Sequence, residues 1–542
     1  MNLSELLFWR NPIFIRYCRA KLRPVSLISW SLIVLILTGF VFTLVYLLPQ
    51  RSDVMTREEA ARLTIIPLFI IQCFILMFKG SFSVASGITR EGMEGVLDYQ
   101  RLTPMSSFGK IIGYLFGLPV LDYVLFLLTL PFLIFTVVVG NVSLDILFRL
   151  YSVFFTSVLL YHMTGFMAGM VVSKRFLAGF ISQTLMIGLY FILPSFSRLG
   201  YVFFEYLTVR PVVYYELSQL LPEEFERYVK LDTVNFFNLN FSVVSFSIVI
   251  QALLFFVFFM IVLRKWKQDS HHLLGKHFSV ITYAGIIIAL MGSMLPLINN
   301  GRIFPSQSAR RFFEVDPTSY ISPNEALLIP GLFGIVTLLL AIVIIGQMTP
   351  SFDKQMKGQR RVHKLNENRV DPGDDESTSI FHTIAIIGIA VISWNVFIGY
   401  LFESRWYEGW VLSKYSWIGT VLSLGLPILI YQMLLEFGGR RLAFISLLLG
   451  WLLPLFVGVL MMIATDSLVN AGTYILMLSG FAFPYFSVEA ALTVNDTFVV
   501  NFPEAKKAFM HVAIIYATLF PLLFMKWRQH HVELNKKKKE VL

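Results

Sequence analysis

Apolar runs about twenty residues long recur along this chain, separated by short polar links that are alternately rich and poor in Lys and Arg. A helix rises about 1.5 Å per residue, so roughly 20 apolar residues cross the hydrocarbon of a bilayer. The pattern predicts spans near 25–49, 63–79, 111–138, 150–172, 177–195 and 241–263, then a second set near 278–297, 327–347, 380–401, 418–436, 442–464 and 508–526. One further apolar stretch, 472–492, is interrupted by Gly480, Pro484 and Glu489. It is expected to enter and leave on the outer side, because non-helical backbone is tolerated at membrane depth where protein or water covers it.

Composition points to lipid as the solvent. Of 542 residues, 56% are apolar and 14% charged, and 52 are Phe. An average soluble chain carries roughly 25% charged residues, so a water-soluble domain and a disordered chain are both excluded. Two cysteines, Cys18 and Cys73, make no disulfide framework, and no Cys/His spacing suits zinc. Five basic residues precede the first apolar run, which reads as a retained membrane anchor rather than a cleaved leader.

Charge sets the expected orientation, because basic links stay on the cytoplasmic side. With the N-terminus inside and twelve crossings, the inner segments hold some two thirds of the 44 basic residues and the outer segments most of the acids. Both termini are then cytoplasmic, and a full crossing by 472–492 would put the run Lys536 to Lys539 outside.

The two sets of spans match in arrangement. Each has an inner stretch of similar length after its second span (80–110 and 348–379). Each has a very short basic link after its fourth (Lys174-Arg175 and Arg440-Arg441) and a long outer segment after its fifth (196–240 and 465–507). Both start inside, which describes a parallel repeat about an axis along the membrane normal. The expected organisation is a cytoplasmic amphipathic segment (1–24), a six-span unit (25–263), a linker (264–277), a second six-span unit (278–526) and a basic tail (527–542).

The inner stretch after the second span reads Arg90-Glu91-Gly92-Met93-Glu94-Gly95-Val96-Leu97-Asp98-Tyr99-Gln100-Arg101-Leu102-Thr103-Pro104-Met105-Ser106. Met93, Val96, Tyr99 and Leu102 have helical spacing, with Glu94 and Asp98 on another face. Thr103-Pro104 ends that helix, and Ser106 or Ser107 can cap the next. The stretch resembles the R-E…G-T-L-(E/D)-x-x-x-L-T-P-x-S pattern of ABC-2 permeases, the membrane subunits of ABC transporters, with Val96 where Thr is usual. Asn11-Pro12…Arg16…Arg19 is similar to the opening of that family.

The resemblance is strong over roughly 1–115 and architectural beyond. It implies an all-α integral membrane protein, a fused duplication with about twelve transmembrane helices as two parallel six-helix ABC-2-like halves, and outer re-entrant segments. It further implies an exporter permease in the bacterial inner membrane. Arg90, Glu91, Gly95, Leu97, Asp98, Leu102, Thr103 and Pro104 would form the coupling helix that docks on a P-loop ATPase subunit, in two copies, with ATP and Mg held by that partner. The second half lacks the motif. Its 348–379 stretch is a basic run followed by Asp371-Pro372-Gly373-Asp374-Asp375-Glu376, and it reads as a solvated, partly disordered loop.

No Walker A loop is present: the Gly-Lys pairs at 109–110 and 275–276 lack the upstream Gly and the following hydroxyl. Metalloprotease and serine-hydrolase motifs are missing too, so no catalytic residue, cofactor or metal is assigned to this chain, and no nucleic-acid partner. His271-His272 and His530-His531 read as solvated, and Glu436 as an interface ion pair. Asp122, half-way along the third expected span, His162 and Gln183 are candidates for a translocation path or for interhelical packing. Segment 196–240, with Phe203, Phe204, Tyr206, Tyr214, Tyr215 and then Glu223, Glu224 and Glu226, is expected on or in the outer leaflet, where it could meet a periplasmic partner. Two rivals are a proton-coupled twelve-span carrier and a polytopic enzyme acting on lipid-linked substrates. Neither accounts for Arg90 to Ser106.

Overall fold

The computed structural model describes residues 8–51, 55–172, 175–220, 233–268, 271–299, 303–304, 323–364, 370–414, 416–465, 468–494, 497–498 and 505–540. The chain divides into two compact units, Met1–Ser197 with Tyr201–Ser270, and His271–Leu542 with Arg198–Gly200. Among the described residues, eleven helices are long and apolar enough to cross a membrane, or twelve if one bent pair counts as a span. The protein is a polytopic, helical integral membrane protein.

The first unit begins with α1 (Pro12–Lys21), which Asn11 caps by accepting from the Ile13 amide at 3.0 Å. The apolar helix α2 (Pro24–Leu47) follows. Helix α3 (Arg57–Met93) starts at a capping box made by Thr56 and Glu59, and at 37 residues it runs well past the expected 63–79. Glycine and small polar residues over 80–89 let its second part lie buried against later helices, so the stretch from residue 80 to Met93 is packed helix continuous with the span before it. A short helix, α4 (Val96–Leu102), follows a break, and α5 (Ser107–Gly117) follows Thr103-Pro104. Leu118 and Pro119 interrupt the expected 111–138 span, which divides into α5 and α6 (Val120–Val139).

Helices α7 (Leu144–Val171), α8 (Leu177–Ser197), α9 (Arg210–Leu220) and α10 (Val243–Lys267) complete the unit, with a hairpin of β1 (Thr233–Phe236) and β2 (Leu239–Ser242) before α10. The aromatic side chains of the segment after α8 pack against their own unit. Phe203, Phe204 and Tyr206 are buried, and Tyr206 meets Phe246 edge-to-face at 4.8 Å. Gln251 of α10 donates to the carbonyls of Tyr206 and Thr208, and Glu216 is buried against Arg149 of α7 at 2.8 Å. The aromatics face protein because α10 supplies both an apolar surface and an amide donor. Glu223, Glu224 and Glu226 lie outside the described residues.

The second unit contains α11 (Lys276–Asn299), α12 (Pro323–Met348), α13 (Phe352–Lys364) and α14 (Ile380–Phe402). Strand β3 (Trp410–Leu412) pairs with β4 (Leu492–Val494), and β4 with β5 (Thr497–Phe498). The apolar run α15 (Ser416–Ala464) has 49 residues, about 74 Å of helix against roughly 30 Å of hydrocarbon. Non-helical backbone at Gly439 divides it into two limbs that match the expected 418–436 and 442–464. Helices α16 (Val469–Leu478) and α17 (Phe483–Glu489) meet at a bend of 119°, the geometry of a broken span or a re-entrant segment. Gly458 of the second limb crosses α16 at Gly472 so closely that a Cβ on either would lie within 3 Å of the other's carbonyl oxygen. Helix α18 (Ala505–Glu540) closes the chain.

Candidate functional site

Glu91 gathers the two stretches that the sequence singles out at the basic end of the first unit. Its carboxylate accepts from Arg16 and Tyr17 of α1 and from Tyr114 of α5 at 2.5 Å. Arg16 also lies over the Tyr17 ring, 4.8 Å from its centre. Burial and the Glu91 charge push the Tyr17 hydroxyl far above its usual range, so it stays a donor. Asn11 adds a second tie, donating to the Gly109 carbonyl at 2.7 Å. The N-terminal motif and the Arg90-Glu91 motif are thus halves of one hydrogen-bonded joint.

Helix α4 hangs from that joint. Gly95 supplies the turn at φ 72°, a conformation that side-chain-bearing residues rarely adopt, and it separates Met93 from Val96. The four apolar residues expected on one helical face therefore do not share a helix. Leu97 points inward and is buried beside Ile88, Ile111 and Trp266, whereas Met93, Tyr99 and Leu102 are 63%, 68% and 85% exposed. Arg101 donates to the carbonyls of Trp266 and Lys265 at the end of α10, and pairs with Asp98 at 2.5 Å; Arg90 pairs with Glu94 at 2.7 Å. Thr103 ends the helix in extended backbone before Pro104, Lys110 donates to the Thr103 carbonyl, and Ser106 caps α5. Beside α4 lies a cleft of about 310 Å³ bordered by Met93, Asp98, Arg101 and Gly169.

The three expected path residues converge on a single turn of α3. Residues Phe74–Lys79 form a π-helical turn, which takes carbonyls out of the regular hydrogen-bond ladder. His162 Nε2 lies 2.8 Å from the Leu76 carbonyl, and Gln183 donates to the Phe78 carbonyl at 3.1 Å. A carbonyl can only accept, so the His162 proton sits on Nε2 and Nδ1 faces the Tyr123 hydroxyl at 3.2 Å. Asp122 is in the first turn of α6 rather than half-way along a span, because Pro119 starts that helix late. It is buried and pairs with Lys79, whose ammonium also lies 4.8 Å from the Trp30 ring centre.

The second unit has different chemistry at its basic residues. Glu436 is fully buried and accepts from Thr378, the Ser379 amide, Gln432 and Trp527 at 2.7–3.1 Å, with His531 Nε2 at 3.3 Å. Buried Lys276 donates to the carbonyls of Asp374, Ser377 and Thr378. The stretch 348–379 is accordingly a helix, α13, and an ordered turn at 370–379; Arg369 and the rest of 365–369 lie outside the described residues. His272 is buried rather than solvated, and burial with the nearby Lys354 charge pushes its imidazole down to about 4.

Lys79, Tyr17, Tyr114 and Lys276 are the functional-site members that sequence reasoning passed over. The signal for the two lysines was a cation at the edge of an apolar run with no neighbouring acid in sequence. No group of His, Cys, Asp and Glu that could hold a metal occurs among the described residues. Comparison with family models, with curated proteins and with solved structures finds no match to this chain.

Proposed function

We propose that this chain is the membrane-spanning permease of an ABC transporter of the ABC-2 kind, an exporter driven by ATP hydrolysis on a separate P-loop subunit. ATP and Mg would be held by that partner, and the 93–106 end of the first unit, with both termini, would face the cytoplasm. The single observation that carries the reading is α4: a motif-bearing helix that presents Tyr99 and Leu102 to solvent, beside the exposed Met93 at the end of α3, while being tied to the membrane helices around it. Large apolar side chains exposed together on a polar link mark a contact surface. The adjoining cleft offers a place for a partner side chain beside Asp98 and Arg101.

The joint also suggests how a push would travel. Closure of two ATPase subunits on ATP would load α4. Arg101 would pass the load to α10, and Glu91 would pass it to α1 and α5. Along α3 the load would meet the π-turn at 74–79, where His162, Gln183 and the Lys79–Asp122 pair hold the helix to α6, α7 and α8. Such turns are places where a helix changes register.

The test is co-purification of the tagged chain in mild detergent. A stoichiometric P-loop ATPase, lost on Leu102→Asp or Tyr99→Asp, is expected. Equal ATPase recovery with both variants would remove the docking role from α4, and recovery of no ATPase from wild type would overturn the reading as a whole.

A further inference from the structure

A cavity of about 670 Å³ lies within the second unit, walled by α12, the second limb of α15, and the bent pair α16 and α17. Among the described residues its wall is apolar apart from Thr473, Tyr485 and Glu489, with no basic side chain bordering it. The Thr473 hydroxyl is already bonded to the Val469 carbonyl of its own helix at 2.9 Å. Glu489 is only 2% exposed, and its Oε1 is fully buried with no hydrogen-bond partner among the described residues.

A carboxyl group in this position is unfavourable by itself. Removing a carboxylate from water without a compensating donor costs several kcal/mol, and intramembrane acids left without a protein partner mark ligand or ion sites. The cavity is of the size that holds a drug-sized molecule, with many apolar contacts and one group to orient it. Its border includes Leu452, Val459 and Met462, each more than a third exposed on a membrane helix, so the opening is towards lipid rather than towards water. The polar demand is therefore for a donor or cation, and the apolar demand is for a hydrocarbon chain.

We infer that this cavity binds a single-chain amphiphile bearing a cationic amine, with its chain between α12 and the second limb of α15 and its ammonium donating to Glu489. The acid sits at the last turn of α17, so the head of the ligand is bound where the bent pair would have to move for release. The binding site stands on the cavity and Glu489 alone. Its role as the cargo site of an exporter rests on the permease reading above.

The probe is radiolabelled dodecylamine, added to the full-length chain in phosphatidylcholine nanodiscs. Saturable binding of one molecule per chain is expected, weakened about tenfold in Glu489→Gln, the loss of roughly one charge-assisted hydrogen bond. Dodecanoate should not compete. Val459→Trp, which fills the opening and keeps the acid, should also block binding, so the result does not depend on Glu489→Gln folding. Equal binding by Glu489→Gln with wild-type melting behaviour, or equal competition by dodecanoate, would overturn the assignment. Amine binding lost with ATPase co-purification intact would remove this ligand and leave the permease. Amine binding kept with no ATPase found would remove the permease and leave the site.

Discussion

The two units each centre a carboxylate at a basic end of the helices, yet the two carboxylates do opposite things to the surface around them. Glu91 draws α1, α3 and α5 together from one side, and the adjoining α4 is left with Tyr99 and Leu102 in solvent, beside Met93 at the end of α3. Glu436 is enclosed from every side, and from Met348 to Ser379 no large apolar side chain is exposed among the described residues. Its neighbour Lys276 ties down the very turn that would correspond to α4. The first unit therefore leaves an apolar surface open where the second is sealed. If both ATPase subunits dock on one chain, the second must use contacts unlike those of the first.

The sharpest way to break this comparison is to remove the two carboxylates in turn. Glu436→Ala strands five donors in a buried site and is expected to destabilise the second unit by about 3–5 kcal/mol. Glu91→Ala should cost about 2 kcal/mol, because Arg16 is 40% exposed at its side chain and regains water. Thermal melts of both variants decide the matter. Equal losses would mean that the two joints are equivalent, and the contrast between sealed and open would fall.

A pH titration sharpens the same contrast. His272 in the second unit is buried with its pKa pushed down to about 4, whereas an unfolded histidine sits near 6.5. A lowered histidine pKa contributes stability above about pH 6.5 that is lost as pH falls towards 4, because protons then favour the unfolded chain. The turn at 370–379, which accepts the His272 amide through Asp375, should lose hydrogen-exchange protection over that window. His272→Phe should flatten the profile.

How much of this was legible in the sequence follows from which physical rules act locally. The spans, the ending of α4 at Thr103-Pro104 and the cap at Ser106 are local or compositional, and residue type alone predicts them. The break at Gly95 was not, because an apolar periodicity of Met93, Val96, Tyr99 and Leu102 runs straight through a glycine that only the backbone angle identifies as a turn. The reach of α3 to Met93 was hidden by its small polar residues, Ser81, Ser86 and Thr89, which look like a loop until α7 is packed against them. Pairings between distant residues, such as Arg16 with Glu91 and Lys79 with Asp122, carry no sequence period at all. His162 and Gln183 were recognisable as costly in lipid, but the carbonyls that satisfy them exist only because α3 makes a π-turn.

The smallest expected effect is on stability, at Leu102, and it separates surface from core within one seven-residue helix. Leu97→Asp places a charge in the cluster with Ile88, Ile111 and Trp266, and the variant should fail to fold. Leu102 is 85% exposed and touches no such cluster, so Leu102→Asp should change the melting temperature by no more than the equivalent of about 0.5 kcal/mol. If Leu102→Asp proves as damaging as Leu97→Asp, then α4 is packed on both faces in the membrane and its exposure is not a free surface. If Leu102→Asp melts like wild type and still loses the ATPase, the apolar face of α4 is held for a partner. The first unit then differs from the second because a surface that costs nothing in stability has been kept for contact.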